Sequence, residues 1–87
     1  MVDLRVDSPR PGQLVLGDWP WLPRMIDKAR AKYYGNIGTY AHPCGRDLSL
    51  LRDLGLTVEE FKEVIDTTST DEEVLLEVER RRASKGL

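Results

Sequence analysis

The sequence predicts an all-α domain, a small bundle of about four short helices preceded by an irregular N-terminal arm. Three observations carry this. Leu22, Met25, Ile26, Ala29 and Tyr33 fall at i, i+3, i+4, i+7 and i+11, one stripe of a helix over Leu22 to Tyr34. Thr57-Val58-Glu59-Glu60 and Thr70-Asp71-Glu72-Glu73 each read as a capping box, in which a threonine hydroxyl and a glutamate carboxylate satisfy two otherwise orphaned backbone N–H groups. Little of the chain has the alternation of a strand.

With 87 residues the chain is expected to be a single domain over 1–87, divided into an arm (1–18), a helical core (19–79) and a basic tail (80–87). In the arm, Pro9, Pro11, Gly12 and Gly17 interrupt any regular pattern, leaving at most a brief extended piece at Gln13 to Leu16, and the arm is expected to wrap the domain. Trp19, Pro20 and Trp21 lead into the first helix. Pro23 suits its first turn, where a missing N–H costs nothing, and Gly35 suits its C-terminal stop. Residues 35–46 (GNIGTYAHPCGR) are turn chemistry throughout. Asp47 is placed to cap a second helix over Leu48, Leu51 and Leu54 that Gly55 stops. The third helix buries Phe61, Val64 and Ile65. The fourth has Val74, Leu75 and Val78 behind its acidic first turn, and Arg80, Arg81 and Arg82 at its negative end.

Hydrophobic residues at 40% and charged residues at 32% exclude a disordered chain. A core of this size is near the lower limit for a chain without disulfides or metals, so a homo-oligomer, a dimer, is expected. The lone Cys44 requires no oxidising compartment. No run approaches the roughly 18 apolar residues needed to span a bilayer, and Asp3 and Asp7 stand where a signal peptide would be apolar. Cytoplasmic localisation with no membrane association is the expectation.

The net charge of −2 is unevenly placed: residues 1–56 carry +2, residues 57–79 carry −8 and residues 80–87 carry +4. The acidic block opposes nucleic acid. Leu48 to Ile65 has the outline of a helix-turn-helix, but its second helix presents Glu59, Glu60, Glu63 and Asp66 with only Lys62 against them, which would repel phosphates. Gly35-Asn36-Ile37-Gly38 matches the GXXG loop of KH modules, which also need a sheet. Nucleic-acid binding through the Arg24 to Lys32 face and the Arg80 to Lys85 tail is therefore a third reading.

The densest chemistry lies in Tyr40 to Asp47, which gathers the only histidine, the only cysteine, a tyrosine, an arginine and an aspartate. His42 suits acid–base work near neutral pH, and Cys44 suits nucleophilic work beside a cation or a helix N-terminus. Asp27 on the first helix would orient them if that face met the loop. Against this stands the structural reading, in which His42 caps a turn, Cys44 packs as a small hydrophobe and Asp47 is an N-cap. Arg24, Lys28, Arg30, Tyr40 and Arg46 are the candidate binding residues, suited to a protein partner or a small acidic ligand. Arg24, Asp27, Lys28 and Arg30 read equally as a solvated ion-pair ladder. Two Cys/His ligands are too few for zinc, so neither a metal nor a cofactor is expected.

The run Leu22-Pro23-Arg24-Met25-Ile26-Asp27-Lys28-Ala29-Arg30, followed by the glycine-rich loop and by Thr70-Asp71-Glu72-Glu73-Val74, resembles the bacterial domain of unknown function 5069 family over roughly residues 3–79. The resemblance implies a small, mainly helical bacterial domain. It supplies Arg24, Asp27, Lys28 and Arg30 as positions without roles, and no established activity. The favoured reading is a non-enzymatic protein-interaction or binding module. A small enzyme or ligand-binding domain built on Tyr40, His42, Cys44 and Arg46 with Asp27 is the alternative.

Overall fold

In the computed structural model, which describes residues 3–87, four helices follow a two-stranded antiparallel ribbon. The strands β1 (Val15–Leu16) and β2 (Trp19–Pro20) pair Val15 with Pro20 and Leu16 with Trp19. The helices are α1 (Leu22–Tyr34), α2 (Gly45–Leu54), α3 (Val58–Asp66) and α4 (Asp71–Ser84). The fold is thus mostly helical but not purely all-α. The extended piece anticipated near Gln13 to Leu16 finds a partner because Gly17, at φ 61°, reverses the chain.

Helix limits follow local chemistry. Gly35 and Gly55 sit at φ 84° and 73°, left-handed positions at which a side chain is strained, and they end α1 and α2. Thr57 and Thr70 accept hydrogen bonds from the N–H groups of Glu60 and Glu73, whose carboxylates accept from the threonine N–H groups. Two boundaries differ from expectation. Cys44, not Asp47, is the N-cap of α2, because the Asp47 carboxylate reaches back one turn to accept the Cys44 N–H at 3.1 Å. α4 runs through Ser84, so most of the basic tail is helix, its end held by Lys85 Nζ donating to the Gly55 carbonyl at 2.8 Å and by an ion pair with Glu60.

The core is one cluster. Leu22, Met25, Ile26 and Ala29 of α1 meet Leu50, Leu51 and Leu54 of α2, Phe61, Val64 and Ile65 of α3, and Val74 and Val78 of α4. Each large side chain buried there contributes on the order of 1.5–3 kcal/mol. The arm wraps this body as expected. Leu4 is buried and its N–H donates to the Asn36 carbonyl, and the Trp21 N–H donates to the Gly12 carbonyl. The Arg10 guanidinium bridges Asp27 of α1 and Asp71 of α4. Among the described residues no helix is long and apolar enough to cross a membrane.

Candidate functional site

Trp21, the residue immediately before α1, has φ 76°, the only positive value among the described non-glycine residues. That conformation costs an L-residue about 1–2 kcal/mol, so neighbouring contacts must hold it. Gly12 lies flat against the indole: a Cβ there would stand 2.3 Å from a ring carbon. The indole Nε1–H donates to Asp47 Oδ1 at 2.7 Å.

Asp47 is the hub. Its side chain is fully buried, and its carboxylate also receives the Lys28 ammonium at 2.8 Å, the Cys44 backbone N–H at 3.1 Å and His42 Nδ1 at 3.0 Å. Burial alone would push this carboxyl up. Hydrogen bonds from His42, Lys28, Trp21 and Cys44 outweigh it and hold the group far below the usual carboxylate range. An ionised carboxylate only accepts, so the His42 hydrogen lies on Nδ1. Nε2 then turns to the apolar side, where Tyr33 and Phe61 lie 6.1 and 6.2 Å away between ring centres, and it has no hydrogen-bond partner among the described residues. Lys28, 3% exposed, also donates to Cys44 Sγ at 3.2 Å. Lys32 holds the loop from outside, donating to the His42 carbonyl at 2.7 Å.

The structure therefore brings Lys28, His42 and Cys44 together. It does not place Asp27 with them: the Asp27 carboxylate accepts the Arg10 backbone N–H at 2.8 Å and its guanidinium at 3.0 Å. The carboxylate that orients His42 is Asp47, five residues along the same loop and helix start. Arg30 donates to the carbonyls of Ile65 and Thr68, away from the loop. Tyr40 reaches Ser8 of the arm. Among the described residues no group of three or more His, Cys, Asp or Glu is placed to hold a metal ion.

Outside the buried hub lies a groove of about 300 Å³. One wall is Trp19, Pro20 and Trp21 of the ribbon; the other is Arg46, Ser49, Leu50 and Asp53 of α2. Arg46 and Arg24 stack on the Trp21 indole with their guanidinium carbons 4.9 and 5.3 Å from its centre, and Arg24 also approaches the Tyr40 ring at 5.8 Å. Trp19 is held at the other end by Arg82, 4.7 Å from its ring centre, and by its own Nε1–H donating to Glu79 at 3.1 Å. Nothing in the sequence marks residue 21 as left-handed or joins it to Asp47.

The model of the domain of unknown function family DUF5069 matches residues 6–86. The chain belongs to the DUF5069 family. No curated protein matches it. Within this DUF5069 domain, Arg24, Asp27, Lys28 and Arg30 divide into different tasks: Lys28 enters the buried hub, Asp27 anchors the arm, Arg30 ties α1 to the end of α3, and Arg24 covers Trp21.

Proposed function

We propose that this DUF5069 domain is a non-enzymatic protein-interaction module that binds its partner in the Trp19–Trp21 groove. One observation carries the reading: the histidine and carboxylate that could move protons have side chains 0% exposed, whereas the indoles in front of them line an open groove. A general acid or base must come within hydrogen-bond reach of its substrate, and His42 meets Asp47 on one side and the core on the other. The hub instead serves as a clamp that fixes Trp21. Rigid, half-buried Trp and Arg are the side chains that dominate binding energy at interfaces.

The test is photo-crosslinking in the source cells, with a benzophenone amino acid replacing Ser49 inside the groove and, as control, Thr39 on the exposed loop. A discrete adduct from position 49 that disappears with Arg46→Glu supports the reading. No adduct, or the same adduct from both positions, contradicts it.

A second reading, self-association, is favoured by a separate shallow apolar groove of about 500 Å³ between Leu48, Leu51, Leu56 and Val58, where Leu48 is 47% exposed. Sedimentation equilibrium tests it: a monomer at 100 µM removes it.

A further inference from the structure

The groove has two electrical ends. Arg46, Ser49, Leu50 and Asp53 recur at i, i+3, i+4 and i+7, so they share one face of α2, with Arg46 and Asp53 separated by about 10.5 Å along the axis at 1.5 Å per residue. The ribbon lies alongside in a fixed direction. Trp21 is at the Arg46 end. Trp19 is at the Asp53 end, because the Arg82 guanidinium that stacks on Trp19 donates to the Asp53 carbonyl at 2.9 Å. Asp18, which precedes Trp19 and lines the groove, belongs to that end too. Arg82 is a cation at that end, stacked on Trp19 and donating to the Asp53 carbonyl, and the Trp19 Nε1–H donates to the Glu79 carboxylate. Among the described residues, Arg46, Asp18 and Asp53 form no ion pair with one another or with any other side chain. The groove is cationic where α2 begins and anionic where it ends, with indole faces and the Leu50 side chain between.

We infer that the groove takes an extended protein segment carrying one acidic and one basic side chain about three residues apart, the acidic one against Arg46 and the basic one between Asp18 and Asp53. This rests on the groove reading proposed above. An extended chain of the polyproline II form advances about 3.1 Å per residue with three residues per turn, so side chains three apart share a face and roughly cover the distance between the ends. Opposite charges placed at both ends give specificity and orientation, and wrong pairings are penalised. A nucleic acid strand would meet like charge at the Asp53 end.

Panning a phage-displayed random dodecapeptide library on the full chain tests this, with each selected peptide then synthesised and titrated against intrinsic fluorescence. Both tryptophans of the chain lie in the groove, so emission reports occupancy there. The wild type is expected to enrich peptides with an acidic and a basic residue two to four positions apart. Arg46→Glu is expected to weaken those peptides about tenfold or more and to enrich two basic residues instead; Asp53→Lys is expected to enrich two acidic ones. Both positions are exposed, and each new charge suits its end of the helix dipole, so folding is retained. Peptides that change the emission but lack the charge pair overturn the inference and leave the groove reading standing. If no selected peptide changes the emission, both fall.

Discussion

The Lys28 ammonium lies 2.8 Å from the Asp47 carboxylate with the two side chains 4% and 0% exposed, so each is the principal counter-charge of the other inside the protein. Removing one member of such a pair is costly because the survivor stays buried without compensation. Asp47→Ala is expected to destabilise the domain by about 3–5 kcal/mol, since it strands Lys28 and leaves the Trp21 and Cys44 N–H groups unpaired as well. Lys28→Met, which leaves Asp47 with its other three donors, should cost less. Urea titrations followed by circular dichroism give both values; equal costs would contradict the role of Asp47 as hub.

The same carboxylate sets a pH dependence. Its folded pKa lies below the unfolded value of about 3.9. Between the two, the unfolded chain binds the extra proton, so stability rises with pH there. The Asp47 contribution is fully present above about pH 4–5 and is lost as the solution is acidified through the folded pKa. Asp47→Asn should therefore flatten the fall in urea midpoint from pH 5 downward relative to wild type. Parallel curves would show that Asp47 is not the group responsible.

Arg10 fastens the arm to two helices. Asp27, 6% exposed, pairs with no other cation among the described residues, so Arg10→Met should cost about 1–3 kcal/mol and release the arm amides. Hydrogen exchange reads this directly: the Leu4 and Trp21 amides, bonded to Asn36 and Gly12, should lose protection while those of α3 keep theirs. Uniform loss would mean a global effect.

Gly12 has no room for a methyl group, its Cβ falling 2.3 and 2.4 Å from two atoms of the Trp21 ring. Because that ring is tied to Asp47 it cannot swing away freely. Gly12→Ala should cost about 1–3 kcal/mol by overpacking and shift the tryptophan emission. An unchanged spectrum and midpoint would show that Trp21 is not fixed by its neighbours.

Much of the fold is local chemistry and was legible. The α1 stripe, both threonine capping boxes and the glycine stops depend on residues within four positions of one another, and the structure has them where the spacing puts them. The N-cap of α2 lies three residues before Asp47, because an aspartate at N3 that bonds backward has the same sequence signature as an N-cap aspartate. Only half of the ribbon is legible in the sequence, since two-residue strands carry almost no periodicity. For the candidate site, the Tyr40 to Asp47 density marks the loop whose His42, Cys44 and Asp47 the structure brings together with Lys28 of α1. The choice between Asp27 and Asp47 as the partner of His42 was not legible. It depends on how α1 is rotated against α2, a property of packing between elements far apart in sequence. Arg10, in an arm with no pattern, gave no hint that it would take Asp27 away.

The buried hub clamps Trp21 and so fixes one wall of the groove. The two indole N–H groups, one bonded to a buried carboxylate and one to the exposed Glu79, separate in a 15N–1H correlation spectrum, and their exchange with D2O measures the clamp directly. The Trp21 indole proton should exchange as slowly as the core amides of α1 and α3, the Trp19 proton far faster, and Asp47→Asn should abolish the difference. Equal, fast exchange of both protons in the wild type would contradict the account.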